Sequence, residues 1–156
     1  MADRSQRPGV VSLAVMTTAL MAVGTIAPFV FGALGPSIVA DFDLSRAQFG
    51  ALTTVLFTVA AALSATLGHS TDRVSVRITY GVAFVTAAVT LGGVAAAPTY
   101  LVLIAFAAVG GIAQAIANPL SNKLVADHAP RHRRGILMGI KQSGVQIGAV
   151  VAGVTL

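Results

Sequence analysis

The residue of this chain best placed to do chemistry is Lys141, a lone cation in a run from Ile136 to Leu156 that carries no other charge. A buried ammonium can hold an anion, and beside a serine it can act as a base. Lys141 and Ser143 are two apart, however, and so face different directions on a helix, which argues against a Ser–Lys dyad. Amides are the next polar resource. Gln114, Asn118, Ser121 and Asn122 follow one another at helical spacing and form one stripe, and Gln142 and Gln146 form a second row. Such amides either bond neighbouring helices together or line a wet cavity that holds a polar solute. His128 and His132 are four apart near Asp127, but Pro130 interrupts the helix that a shared metal would need, so a basic turn is the better reading. The absence of cysteine excludes disulfides, thiol catalysis and Cys-ligated metals. With no phosphate loop and no dinucleotide fingerprint either, the expectation is no enzyme, no cofactor and no metal.

The elements that must position these residues follow from composition. Of 156 residues 56% are hydrophobic and only 10% charged, with no Glu and no Trp. A soluble domain needs roughly 25% charged residues to cover itself. Lipid is therefore the solvent for most of this chain, whose mean hydropathy is +0.86. A net charge of +5 would suggest nucleic acid in a soluble protein, but here the basic residues cluster between long uncharged runs, which is the pattern of a membrane topology.

The charge-free runs are 8–40, 47–71, 78–122 and 142–156. A spanning helix needs about 20 apolar residues. The third run is too long for one span, and Ala97-Pro98-Thr99-Tyr100 breaks it, because Pro98 cannot continue a helix and Tyr100 suits a membrane interface. Five spans are predicted after a tail of residues 1–9, at about 10–34, 47–69, 78–97, 100–122 and 136–156, an all-α polytopic bundle. Ser45 and Gln48 form a capping box at the start of the second span. With the N-terminus inside, Arg4, Arg7, Arg73, Arg77, Lys123, Arg131, Arg133 and Arg134 are cytoplasmic and Arg46 alone is outside, so the N-terminus is predicted to be cytoplasmic, in a bacterial plasma membrane. The first run is too long for a cleaved signal peptide and reads as a retained helix.

The loop between the second and third spans, Gly68-His69-Ser70-Thr71-Asp72-Arg73-Val74-Ser75-Val76-Arg77, resembles the signature loop of the major facilitator superfamily. Gly68, Asp72, Arg73 and Arg77 match it, while Ser75 and Val76 stand where Gly and Arg are usual. Read alone, the loop is either a solvated turn obeying the positive-inside rule or a gate. The N-inside start, the basic loop after the fourth span and the glycine-rich fifth span favour the gate. The resemblance implies a secondary transporter that works by alternating access, with this loop latching one half of the molecule to the other. Gly111, Gln114, Ala115, Asn118 and Pro119 also resemble a GxxQAxxNP pattern of some members. No arginine stands in the fourth span, so proton coupling through that residue is not implied. In the fifth span Ala149 replaces the proline of an antiporter pattern and Ala152 a glycine, so antiport is not implied either.

Gly144 and Gly148, with Ala152, let the fifth span pack closely on a neighbour. Lys141 shares that face. A mid-bilayer lysine costs about 3 kcal/mol on insertion scales. It either snorkels its stem back to the inner surface or points into the bundle, where Lys141, Gln142, Gln114 and Asn118 are candidate contacts for an anionic or polar solute. The expected partners are that solute, the bilayer, and a missing C-terminal half or other membrane chains, because five helices do not complete a six-helix half. A truncated product or fragment is the expectation, and the alternative is a small non-transporting subunit. Single cysteines at Ser5, Ser75 and Ala129 are expected to be shielded from an impermeant thiol reagent added outside intact cells, while one at Ser45 labels; labelling at Ser75 but not at Ser45 overturns the orientation.

Overall fold

The computed structural model describes residues 9–70 and 75–154, the side chains of 65 and 67–70 excepted. Helix α1 (Val10–Ala33) runs uninterrupted through Pro28. Its buried hydroxyls are satisfied within the helix, Thr17 donating to the Leu13 carbonyl at 2.9 Å and Thr25 to that of Met21 at 2.7 Å. A short helix α2 (Gly35–Asp41) follows, started by Pro36 near its N-terminus, where a missing N–H is harmless. This stretch follows the first predicted span, which ends at about residue 34. Asp43, at φ 49°, takes the left-handed conformation that Asp tolerates and turns the chain. The capping box then forms as expected: Gln48 N–H donates to Ser45 Oγ at 3.2 Å, and Ser45 N–H to Gln48 Oε1 at 2.8 Å.

Helix α3 (Arg46–Ser70) is followed by α4 (Val76–Ala95), which Ser75 caps by accepting from Ile78 N–H at 3.4 Å. Thr99 caps α5 (Tyr100–His128) in the same way. At 29 residues α5 is about 43 Å long, well beyond the ~30 Å of hydrocarbon. It therefore continues past Asn122, where the sequence reading ended the span, because a charge-free run bounds the part in lipid rather than the helix. After a 3-10 turn at Arg131–Arg133, α6 (Arg134–Val154) closes the described chain. Five helices are long and apolar enough to cross a membrane: α1, α3 from Arg46 to Ser64, α4, α5, and the segment Arg131–Val154.

Helices α1 and α5 form the central pair; α3 and α4 pack on α5, α4 also touches α1, and α6 packs on α1. Lipid tails are as apolar as leucine, so burial of apolar surface does little to join these helices, and close packing through small residues does it instead. A Cβ at Gly24 would overlap Ala117 and approach the Ala113 carbonyl of α5. One at Gly111 would come within 2.6 Å of the Leu56 carbonyl of α3. At Gly144 it would overlap the Thr18 carbonyl of α1, and at Gly148 it would sit 2.8 Å from the Ala22 carbonyl. Two layers of larger side chains fill the space left over, one around Leu13, Leu20, Ile116, Leu120 and Leu137, the other around Phe31, Leu52, Leu56 and Leu103.

Gly144→Leu is accordingly expected to lower thermal stability in detergent by about 1–3 kcal/mol or more through overpacking. Gly139, where a Cβ would meet nothing within 4 Å, should accept alanine without loss. Equal melting temperatures for the two variants would show that the α1–α6 contact is not close.

Candidate functional site

The glycine contact between α1 and α6 decides where Lys141 goes. Leu137, Lys141, Gly144, Gly148 and Ala152 are the buried row of α6, so the lysine lies on the face pressed against its neighbours and is only 4% exposed. Its ammonium donates to Ser121 Oγ at 3.0 Å and to Asn122 Oδ1 at 2.6 Å, both on α5. Thus Lys141 reaches across the bundle rather than back to the surface. Ser121 is fully buried, and its single proton has two acceptors in reach, the Asn118 carbonyl at 3.0 Å and Met21 Sδ of α1 at 3.5 Å. Through one serine the cluster thereby touches α6, α5 and α1. Close by on the sequence, Thr18 donates to the Ile140 carbonyl at 3.3 Å, a second polar tie from α1 to α6.

Both partners of the ammonium are neutral. An ammonium has three protons to donate, and the third has no acceptor among the described residues. The carboxylates of those residues, Asp41, Asp43 and Asp127, are all exposed at helix ends or turns. Among the described residues, no carboxylate compensates the charge of Lys141.

The other expected contacts are placed differently. Gln114 is half-buried, and its Oε1 is buried with no hydrogen-bond partner among the described residues. Asn118, Gln142 and Gln146 are exposed on the outside of the five-helix bundle. Of the four candidate contacts, then, only Lys141 is held in a hydrogen-bonded cluster. Its two acceptors were not singled out with it from the sequence, although a signal existed. Helices α5 and α6 are antiparallel about the Arg131–Arg133 turn, and Asn122 and Lys141 lie nearly equidistant from that turn, so the two residues must stand at the same depth. In the signature-like loop, Gly68 falls in the last turn of α3 and Arg77 is exposed in the first turn of α4, while Asp72 and Arg73 lie outside the described residues.

A family model described as Major Facilitator Superfamily matches residues 3–155. No curated protein matches the chain. Two solved structures of a bacterial homologue of the human lysosomal transporter Spinster are similar in fold. The inward-facing, occupied form superposes with a TM-score of 0.77 at 25% identity, over 89% of this chain and 30% of that one. The inward-facing, unoccupied form gives 0.82 at 24% identity, over 97% and 31%. The chain thus spans less than a third of the length of those transporters.

The hydrogen-bonded cluster has a stability signature. Removing an acceptor from a buried charge costs more than replacing the charge by an apolar side chain of similar length. Ser121→Ala is expected to destabilise the protein by about 1.5–3 kcal/mol, and Lys141→Met by much less. A Ser121→Ala variant as stable as the parent in thermal unfolding would mean that Lys141 does not depend on the Ser121 hydroxyl.

Proposed function

The chain belongs to the major facilitator superfamily, and from that premise we propose that it forms the first five helices of a secondary permease that moves a small anionic or polar solute by alternating access. One observation carries the choice of solute, the buried ammonium of Lys141, held among the described residues by the neutral oxygens of Ser121 and Asn122. In a medium of low dielectric an unpaired cation attracts an anion far more strongly than it would in water. The open third proton gives that anion a directed bond. Gln142, Gln114 and Asn118 supply further amide donors, and the unpartnered Gln114 Oε1 gives a site for a hydroxyl or N–H of the solute. Gly68, Asp72, Arg73 and Arg77 take the latch role that such a loop has in the family. The basic ends of the helices favour an N-terminus in the cytoplasm of a bacterial cell.

A second reading is a non-transporting membrane subunit that assembles with other chains, for which the amides of Asn118, Gln142 and Gln146, exposed on the outside of the bundle, would supply interhelical bonds. Flux separates the two. Reconstituted in liposomes together with whatever chains co-purify with it, the protein is expected to show saturable uptake on the transporter reading and none on the subunit reading. For the site, size-matched carboxylates, phosphate esters and amines are added to the purified protein and the melting temperature is recorded. At least one anion should raise it in the parent and not in Lys141→Gln, and amines should raise it in neither. An anion-induced shift that survives Lys141→Gln removes the lysine from the site.

A further inference from the structure

The two acceptors of the Lys141 ammonium are not equivalent. Ser121 is fully buried, and its own proton is directed at the Asn118 carbonyl or at Met21 Sδ, so the hydroxyl is committed on both its donor and its acceptor side. Asn122 is the next residue of α5, turned from Ser121 by about 100°. Its side chain is exposed, yet its Oδ1 accepts from Lys141 Nζ at 2.6 Å, the shorter of the two bonds. It lies six residues, about 9 Å, before the end of α5, a helix about 13 Å longer than the hydrocarbon it crosses. An amide released there has water close by, and a serine hydroxyl released inside the bundle has none.

Charge decides which acceptor an anion replaces. In a low-dielectric interior a carboxylate attracts an ammonium with its full charge, whereas an amide oxygen offers only a dipole. A carboxylate or phosphate has at least two oxygens on one centre. One of them can take the third proton of Lys141 while another takes the position that Asn122 Oδ1 holds. The amide therefore stands where the anion belongs.

We propose that Asn122 is the specificity-determining residue of the Lys141 site, a built-in neutral competitor whose oxygen occupies the place of one solute oxygen and leaves when an anion arrives. The proposal deepens the reading of Lys141 as the anion contact and rests on it. A neutral placeholder keeps the empty ammonium hydrogen-bonded, which a buried charge requires, and leaves its charge free to select an anion over a neutral or cationic solute. A carboxylate in the same position would satisfy the ammonium permanently. Occupancy is also felt between helices: once Asn122 is released, the bond that remains from Lys141 to α5 is the one to Ser121.

A titration tests this. Acetate, benzoate and methyl phosphate are added at constant ionic strength to the protein purified with whatever chains accompany it, and the melting temperature is recorded against concentration for the parent, Asn122→Ala and Asn122→Asp. Apparent affinity is the intrinsic affinity reduced by the fraction of sites free to bind, so deleting the competitor raises it. Asn122→Ala should reach half of its maximal shift at about one-tenth of the anion concentration that the parent needs. That factor is the equivalent of ~1.4 kcal/mol, no more than the net worth of a hydrogen bond to a charged group. Asn122→Asp, the same in shape, should need more than about ten times the parent's concentration or show no shift. A residue that only ties α5 to α6 would change the melting temperature without anion and leave the half-saturating concentration of Asn122→Ala equal to or above the parent's, which overturns the proposal. A half-saturating concentration in Asn122→Asp close to the parent's overturns it as well. If Asn122→Asp does not yield folded protein, Asn122→Ala decides by itself. An anion that stabilises Asn122→Ala and not the parent supports the proposal, whereas no response in the parent or in either variant overturns the reading of Lys141 itself and the proposal with it.

Discussion

The closeness of two backbones, α6 against α1 at Gly144 and Gly148, is the constraint on which the rest of this structure depends. In lipid no solvent drives helices together, so an interface must be gained by fit. Two missing side chains provide it here, because a single Cβ at either glycine would run into a carbonyl of Thr18 or Ala22. Everything on the same face of α6 is then committed. Lys141, one turn before Gly144, shares that buried face and makes its hydrogen bonds with a neighbouring helix. It finds them on α5, a helix that α6 otherwise barely touches.

The same economy governs the other polar groups. Among the described residues, the buried hydroxyls of Thr17, Thr25 and Thr90 and the half-buried one of Ser64 are each satisfied by the carbonyl one turn back on their own helix. Such bonds survive any rearrangement of helices because they do not cross between them. The polar contacts that do cross are few and specific, among them Lys141 with Ser121 and Asn122, Thr18 with Ile140, Tyr80 with the Met16 carbonyl, and Tyr100 with the Gln48 carbonyl. Of these, only the first carries a charge.

Much of the fold could be read from the sequence because the membrane imposes a coarse rule. Charge-free runs, with the longest broken at Pro98 and the last extended back past Lys141, anticipate the five helices long and apolar enough to cross a membrane, and the Ser45–Gln48 capping box marks the start of α3 with both of its reciprocal bonds. Short-range chemistry was less visible. Helix α2 escaped because seven residues cannot span anything, although Pro36 at its start was a usable sign. Ser75, a departure from the glycine of the family's loop, is the N-cap of α4, so the departure serves a helix start. The site was legible to the extent that it depends on one helix. The glycine face made the buried side one of two routes open to Lys141, whereas its acceptors required the register between two helices, which no pattern within a single helix contains.

The order of synthesis adds a consequence to the cluster around Lys141. Ribosomes deliver the chain from the N-terminus at roughly 5–20 residues per second, so α1 and α5 have entered the bilayer before α6 emerges. The segment that arrives last is also the least apolar of the five and holds the only cation buried in the bundle among the described residues. It meets a bilayer in which the furrow of Thr18 and Ala22 and the oxygens of Ser121 and Asn122 are already waiting. Earlier helices thus act as an intramolecular insertion aid for the sixth, and a reordered gene that encoded α6 ahead of α5 would present its lysine to bare hydrocarbon.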